Sequence, residues 1–178
     1  MIETEGGGFL QVIDGFDCSI SKRWNKACDW KVVLRGLGWA SRLGNGVFWY
    51  VLMGCLPVFY GLEGLQLAGK MLLAGASGVF LYRLLKGKTS RPRPYKRFEE
   101  IRLGAEPLDQ FSFPSGHTLH AVCFTILAGA AFPMLLWLLV PFTVLVALSR
   151  VVLGLHYPTD VLAGAVVGAG LAALWEAL

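Results

Sequence analysis

The chain has 178 residues, of which 55% are hydrophobic and only 16% are charged, and its mean hydropathy is +0.57. Soluble globular domains carry about 25% charged residues, so this composition argues against a free-standing soluble enzyme and indicates an integral membrane protein. The 16 basic and 12 acidic residues leave a net charge of +4, an excess that does not imply binding to nucleic acid.

The amino-terminal segment, residues 8–42, mixes apolar side chains with six lysines and arginines. Each Lys or Arg at the centre of a bilayer costs about 2.5 to 3.5 kcal/mol, so this segment is not expected to cross the membrane. Its pattern predicts one or two amphipathic helices that lie on the membrane surface.

Residues 43–62 are twenty positions without a charged residue, which matches the roughly 20 residues that a helix needs to span a bilayer. Residues 64–85 form a second, weaker apolar stretch with Lys70 and Arg83 near its ends, and Glu63 lies in the turn between the two. Residues 86–110 then contain seven basic residues, four acids and three prolines. This change in composition predicts a water-exposed loop.

Residues 111–149 form a 39-residue run with no Asp, Glu, Lys or Arg. One helix of that length would be nearly twice as long as the bilayer core is thick, so we expect two antiparallel helices with a break at Pro133. The last span is predicted at residues 158–175, where Gly164 and Gly168 allow another helix to approach closely.

The predicted fold is therefore all-α. It is a polytopic membrane bundle of about five transmembrane helices with amino-terminal interfacial helices. We expect one domain over residues 1–178, made of an interfacial segment at 8–42 and a transmembrane core at 43–178.

Polar residues cluster at the ends of the predicted spans, and counting the crossings places all of these clusters on one face of the membrane. Lys86 closes the second span, His117 opens the third, Arg150 closes the fourth, and His156 and Asp160 open the fifth. Fixed cations together with the free backbone amides at the start of a helix are typical of a phosphate site.

Three motifs carry a family resemblance: Lys86-x6-Arg93-Pro94, Pro114-Ser115-Gly116-His117, and Ser149-Arg150-x5-His156-x3-Asp160. They resemble the three-part signature of the type 2 phosphatidic acid phosphatase superfamily at every signature position. That superfamily also includes vanadium haloperoxidases and bacterial acid phosphatases, and its shared core is a helical bundle. The resemblance covers about residues 83–175 and implies a catalytic loop at 86–116.

The chemistry of these residues agrees with the roles that the resemblance implies. His156 is expected to attack phosphorus and form a phosphohistidine, while Asp160 holds its ring. His117 is expected to protonate the leaving group and then to activate water, which predicts a bell-shaped pH dependence. Lys86, Arg93, Ser115, Gly116 and Arg150 are expected to bind the phosphate. No metal and no other cofactor is expected.

The resemblance implies an integral membrane phosphatase that hydrolyses a lipid phosphate monoester or pyrophosphate. Phosphatidic acid, phosphatidylglycerophosphate and undecaprenyl pyrophosphate are all candidate substrates. Transfer of the phosphoryl group to another alcohol and a non-catalytic lipid-phosphate binder or transporter are the alternatives. The expected partners are the membrane lipid phosphate and the bilayer, with no nucleic acid, and the oligomeric state is left open.

We expect the protein in a bacterial inner (plasma) membrane, with its active site at the membrane–water interface. Family members usually carry this site on the outer or periplasmic face, which we favour. The six basic residues of the first 42 lie on the same side as the site by the five-span count, and the positive-inside rule would make that side cytoplasmic. Both orientations stay open.

Other polar residues have ordinary interpretations. His120, which is absent from the signature, is predicted to be an interfacial or helix-capping residue. A solvated or headgroup-binding face is predicted for Lys88, Arg91, Lys96, Arg97 and Arg102. Cys18 and Cys28 could pair only in an oxidising compartment.

Overall fold

The computed structural model describes residues 6–178 and the side chains from residue 11 onward, so residues 1–5 and the side chains of Phe9 and Leu10 lie outside the description. The described chain is helical and contains no β-strand, which confirms the all-α class. Its α-helices are α1 (Gly6–Asn25), α2 (Lys31–Arg42), α3 (Phe48–Thr89), α4 (Pro94–Arg97), α5 (Gly116–Ala131), α6 (Leu136–Val152) and α7 (Pro158–Glu176).

Helix α3 is a hairpin of two arms. Gly61 has a φ of +57° and a ψ of −132°, which breaks the helical path and is readily adopted only by glycine. A Cβ atom at Gly64 would lie 2.1 Å from the carbonyl oxygen of Leu56, so the chain after Gly61 runs back along the chain before it. The two helices predicted at 43–62 and 64–85 are therefore present, and they are joined at Gly61 rather than at Glu63.

A second reversal lies between α5 and α6, where residues Pro133–Leu135 form a short 3-10 turn. This confirms the predicted break at Pro133. The rings of Tyr60 and Phe132 stack with their centroids 3.8 Å apart, so both reversals lie at the same end of the bundle. The opposite end of the bundle gathers the end of α3, the start of α5, the end of α6 and the start of α7.

Helix α2 continues into α3 through a π-helical segment, Leu43–Val47, and runs beside α6. A Cβ atom at Gly44 would lie 2.7 Å from the side chain of Val146, and the rings of Phe48 and Phe142 have centroids 3.9 Å apart. Three helical stretches, Lys31–Thr89, Pro133–Val152 and Pro158–Glu176, are long and apolar enough to cross a membrane, and α5 is apolar but shorter. Two statements stay predictions: five helices cross the bilayer, and residues 8–42 lie on its surface.

Close packing of α5 against α7 brings the starts of these two helices together. Cβ atoms at Gly164 and Gly168 would lie 2.5 Å and 2.3 Å from the carbonyl oxygens of Ser115 and Leu119. The predicted close approach at the two glycines is thus confirmed, with α5 as the partner. The backbone amide of Ser115 also donates a hydrogen bond to the carbonyl of Asp160 at 3.0 Å.

Candidate active site

The polar helix ends converge on one cavity of about 340 Å³. Six of the eight predicted site residues line it: Lys86, Arg93, Gly116, His117, Arg150 and His156. The cations are almost completely enclosed, since Lys86, Arg93 and Arg150 are 6%, 1% and 2% exposed. The other two predicted residues, Ser115 and Asp160, are fully buried behind the cavity wall.

A sharp turn after α6 places His156 beside Arg150. The backbone amides of Leu155 and His156 both donate to the carbonyl of Arg150, at 3.1 and 2.9 Å. Gly154 has a φ of +72°, and a Cβ there would lie 2.9 Å from the carbonyl oxygen of Arg102, so the turn requires glycine. Pro158 then occupies the first turn of α7, as expected for a residue without an amide donor.

The hydrogen bonding of His156 defines its tautomer. Nη1 of Arg93 lies 3.2 Å from Nε2 of the imidazole, and because a guanidinium only donates, this nitrogen accepts and carries no proton. The proton of the neutral ring is then on Nδ1, which lies 3.7 Å from Oδ2 of Asp160.

Burial lowers the pKa of His156 to about 3. The charges of Arg150 and Arg93 act in the same direction, and Asp160 opposes them. The ring is therefore neutral at ordinary pH, with its lone pair on Nε2.

The carboxylate of Asp160 is held from several directions. Its Oδ2 accepts a hydrogen bond from the hydroxyl of Ser112 and another, at 2.8 Å, from the backbone amide of Tyr157. The bond from Tyr157 caps the start of α7. Its Oδ1 accepts from Nη1 of Arg91 at 2.7 Å.

Arg91 does not belong to a solvated face, so that prediction is wrong. Its side chain is 22% exposed and pairs with two fully buried carboxylates, those of Asp160 and Asp17. Burial works to lower the pKa of Arg91, but the two carboxylates outweigh it and raise that pKa. The other four residues of the predicted face are exposed: Lys88, Lys96, Arg97 and Arg102.

Asp109 bridges two of the predicted phosphate-binding cations. Its carboxylate accepts from Nζ of Lys86 at 2.6 Å and from Nη2 of Arg93 at 2.8 Å. Its backbone carbonyl accepts from Nε of Arg93 at 3.1 Å. Burial works to raise the pKa of Asp109, but Lys86 and Arg93 outweigh it and hold that pKa below its ordinary value. Nothing in the loop sequence marks this aspartate.

Arg150 is anchored by the amino-terminal part of the chain. Its Nη1 donates to the hydroxyl of Ser41, a buried residue of α2. Ser41 could not be identified from the sequence, because its segment was predicted to lie on the membrane surface and a serine among basic residues carries no signal of its own.

Ser115 is the N-cap of α5. Its hydroxyl accepts from the amide of Thr118 at 3.5 Å and lies 3.0 Å from the hydroxyl of that residue. Direct contact of Ser115 with phosphate stays a prediction.

His120 joins two helices rather than capping one. Its Nδ1 lies 2.8 Å from the carbonyl oxygen of Gly116, and its Nε2 lies 3.1 Å from the carbonyl oxygen of Gly75 on α3.

The far part of the cavity is apolar. It lies between α5 and the two arms of α3, and its wall includes Trp49, Met53, Met71, Leu72, Val79 and Phe124. The cavity thus combines a charged end with an apolar end. Among the described residues, no cluster of three or more His, Cys, Asp or Glu is placed to hold a metal ion. Cys18 and Cys28 are both free thiols.

Together the fold and the site define a polytopic helical membrane protein with a pocket at one end that is lined by three nearly buried cations. The family model of the PAP2 superfamily matches residues 67–177, and the chain belongs to this superfamily. This confirms the resemblance inferred from the three motifs.

Two kinds of relative in the superfamily are similar in sequence. The decaprenylphosphoryl-5-phosphoribose phosphatase of Mycobacterium tuberculosis is 33% identical over 112 residues, which are 60% of this chain and 60% of that protein. The undecaprenyl-diphosphatase of Sulfolobus acidocaldarius is 25% identical over 135 residues, 75% of this chain and 65% of the relative. The chain therefore spans about 60% of the length of the mycobacterial relatives it matches.

Two solved structures share the fold. The PAP2-type phosphatidylglycerolphosphate phosphatase from Bacillus subtilis superposes with a TM-score of 0.74 at 26% identity, covering 93% of this chain and 85% of that one. LpxE of Aquifex aeolicus superposes with a TM-score of 0.79 at 23% identity, covering 92% and 96% of the two chains, a likeness of fold alone.

Proposed function

We propose that this protein is a metal-independent phosphatase that hydrolyses a lipid phosphate monoester or diphosphate through a phosphohistidine. The observation that carries the proposal is the unprotonated Nε2 of His156 on the wall of the cavity that Lys86, Arg93, Arg150 and His117 also line. Three fixed cations suit the charge of a phosphoryl group, whose transfer depends mainly on positioning and electrostatic stabilisation.

In the first step the lone pair on Nε2 of His156 attacks phosphorus, and the bond from phosphorus to the ester oxygen breaks. His117 donates a proton to the departing oxygen, so the lipid leaves as an alcohol or, from a diphosphate, as a monophosphate. Arg93 must release Nε2 before the attack, since its Nη1 occupies that lone pair in the structure. Asp160, on the Nδ1 side, stabilises the positive charge that develops on the ring.

In the second step His117, now neutral, takes a proton from water, and the water oxygen attacks phosphorus. The bond between phosphorus and Nε2 breaks, and inorganic phosphate leaves. One histidine therefore acts as acid and then as base, while the other forms the covalent bond.

Binding of a phosphate requires a change at Asp109. Its carboxylate accepts hydrogen bonds from both Lys86 and Arg93, at 2.6 and 2.8 Å. The substrate phosphate competes with this carboxylate for the same N–H donors, so Asp109 is an internal competitor of the substrate.

The substrate is proposed to carry a long apolar chain. The charged end of the cavity suits a phosphate, and the apolar end, lined by residues such as Trp49, Met71 and Phe124, suits an alkyl or polyprenyl chain. The named sequence relatives act on decaprenyl and undecaprenyl lipids, which favours polyprenyl phosphates over phosphatidic acid. Phosphatidylglycerophosphate also stays a candidate, because one structural neighbour is a phosphatidylglycerolphosphate phosphatase.

The test is phosphate release by the purified full chain in detergent or nanodiscs, with chelator present, from a panel of glycerophospholipid and polyprenyl phosphates. Rapid quench with labelled substrate is expected to trap an acid-labile phosphoprotein that disappears in His156→Ala and persists in His120→Gln, the matched histidine control. Failure to release phosphate from any lipid in the panel would favour a non-catalytic binder. Product labelled at an added alcohol instead of at water would favour a phosphotransferase.

We further propose that the site opens on the periplasmic face of a bacterial inner membrane. The positive-inside rule argues the other way, because Lys22 of α1 pairs at 2.7 Å with Glu100 of the loop that carries Arg93, which places this amino-terminal cation at the same end. Labelling of Glu99→Cys in intact cells, with Cys18 and Cys55 replaced by alanine, decides between the faces. Reaction with a membrane-impermeant maleimide supports the periplasmic face, and reaction only after permeabilisation refutes it.

A further inference from the structure

The carboxylate of Asp160 is connected to the amino-terminal helix through Arg91. Nη1 of Arg91 donates to Oδ1 of Asp160 at 2.7 Å, and Nη2 of the same guanidinium donates to Oδ2 of Asp17 at 2.7 Å. Asp17 lies on α1, 74 positions from Arg91 in the chain. One guanidinium thus spans two carboxylates that come from the first and the last helix.

Asp17 is completely buried, and both of its carboxylate oxygens accept hydrogen bonds. Its Oδ1 accepts from the backbone amide of Thr159 at 3.0 Å, and its Oδ2 accepts from the hydroxyl of Thr159 as well as from Arg91. Thr159 is the residue next to Asp160 in the first turn of α7. Asp17 therefore holds both the arginine that contacts Asp160 and the backbone that carries it.

The charges in this cluster do not cancel. If Arg91 paired with Asp160 alone, the two charges would cancel. The Asp160 carboxylate would then do little to stabilise the positive charge of a phosphorylated imidazole. With Asp17 present, two carboxylates share one guanidinium and leave one negative charge in a buried environment, where charges interact more strongly than in water. The Nδ1 atom of His156 is 3.7 Å from this cluster, at Oδ2 of Asp160.

We propose that Asp17 is a positioning residue for the phosphoryl transfer. It fixes Arg91 against Asp160 and keeps the cluster negative beside His156. This inference rests on the proposed phosphohistidine mechanism. Asp17 lies outside the part of the chain that matches the family model, residues 67–177, so the amino-terminal helix supplies a part of the active site that the three motifs do not contain.

The decisive variant is Asp17→Asn, which keeps the size of the side chain and an acceptor for Thr159 but removes the charge. Single-turnover rapid quench measures the rate constant of phosphoenzyme formation, and the amplitude measures the active fraction separately. We expect the rate constant to fall about tenfold, because a neighbouring charge shifts the imidazole equilibrium by about one pK unit. The amplitude and the inhibition constant of inorganic phosphate, which binds without a bond to Nε2, should stay unchanged.

The matched control is Asp14→Asn, one turn earlier on the same helix. Asp14 pairs with Arg97 at 2.6 and 2.7 Å, and both side chains are 39% exposed. This variant weakens a surface contact of α1 without touching the Asp160 cluster, so its rate constant should stay within twofold of the wild type.

A second variant covers the case in which Asp17→Asn does not fold. Arg91→Lys keeps the net charge of the cluster but cannot bridge two carboxylates as a fork. It should slow phosphoenzyme formation and leave the inhibition constant of inorganic phosphate unchanged.

An unchanged rate constant with only a smaller amplitude or a lower melting temperature, in whichever of the two variants folds, would overturn the inference and leave Asp17 a purely structural contact. The wild type and His156→Ala serve as the separate test of the mechanism. If the wild type forms no phosphoenzyme, the proposed function fails first. If it does and Asp17→Asn matches it, only the present inference fails.

Discussion

Asp109→Asn should tighten the binding of phosphate-like anions. In the structure the Asp109 carboxylate takes a hydrogen bond from Nζ of Lys86 at 2.6 Å and another from Nη2 of Arg93 at 2.8 Å. A bound anion needs the same donors. Asparagine keeps the size of the side chain and the backbone carbonyl that accepts from Nε of Arg93, so the substitution removes the competing charge and little else.

The size of the effect follows from these contacts. A hydrogen bond to a charged group contributes about 1.5 to 3 kcal/mol when buried. The Asp109 side chain is 36% exposed, so solvent screening reduces that figure. We expect a net gain of about 1 to 2 kcal/mol for the incoming anion, or about 5- to 30-fold in affinity. Because its pKa lies below the ordinary value, Asp109 is charged at pH 7, where the assay is done.

The assay is the inhibition constant of vanadate and of inorganic phosphate for the purified enzyme, together with KM for a lipid phosphate. Glu106→Gln is the matched control, since Glu106 is an exposed acid on the same loop with no ion pair to Lys86 or Arg93. The control should leave the inhibition constants within twofold. Equal or weaker anion binding in Asp109→Asn would refute the reasoning and show that the carboxylate holds the two cations in their productive positions.

Two further predictions concern stability. Because the fold lowers the pKa of His156 from 6.5 to about 3, the stability from its neutral ring is complete above pH 6.5 and is lost as the pH falls toward 3. The wild type should lose about 2 kcal/mol through this group between pH 7 and pH 5. His156→Gln should lose less stability on acidification, and identical pH dependence of the two melting temperatures in detergent would contradict this. Gly168→Ala should destabilise the bundle by about 1 to 3 kcal/mol, since its Cβ would lie 2.3 Å from the backbone carbonyl oxygen of Leu119. Gly170→Ala, which faces open space, is the control, and equal melting temperatures of the two variants would count against tight packing of α5 on α7.

Local features of the sequence were enough to predict the helices and the general location of the site. The charge-free runs predicted the lengths of the membrane helices, and Pro133 predicted a chain reversal that the structure confirms. The polar motifs lie at the ends of the predicted helices. Counting how often the chain crosses the membrane therefore predicted that Lys86, His117 and Arg150 lie on one face of the membrane. The structure brings them to one cavity.

The partners of these residues could not be predicted in this way. Arg91 looked like one of several exposed cations in a polar loop, yet it lies between Asp17 and Asp160. Ser41 looked like part of a surface helix, yet it accepts a hydrogen bond from Arg150, 109 positions away.

The sequence by itself therefore determined the helices of the bundle and the end of the bundle at which the reactive groups lie. Both follow from local properties, namely the length of an apolar run and the position of a proline or a charge. The tertiary structure alone decided which carboxylate or hydroxyl each buried cation meets. A charge removed from water must find a partner within about 3 Å to offset its desolvation. Any acid or hydroxyl in the chain can be that partner, and only the packing of α1 and α2 against the ends of α6 and α7 selects Asp17 and Ser41.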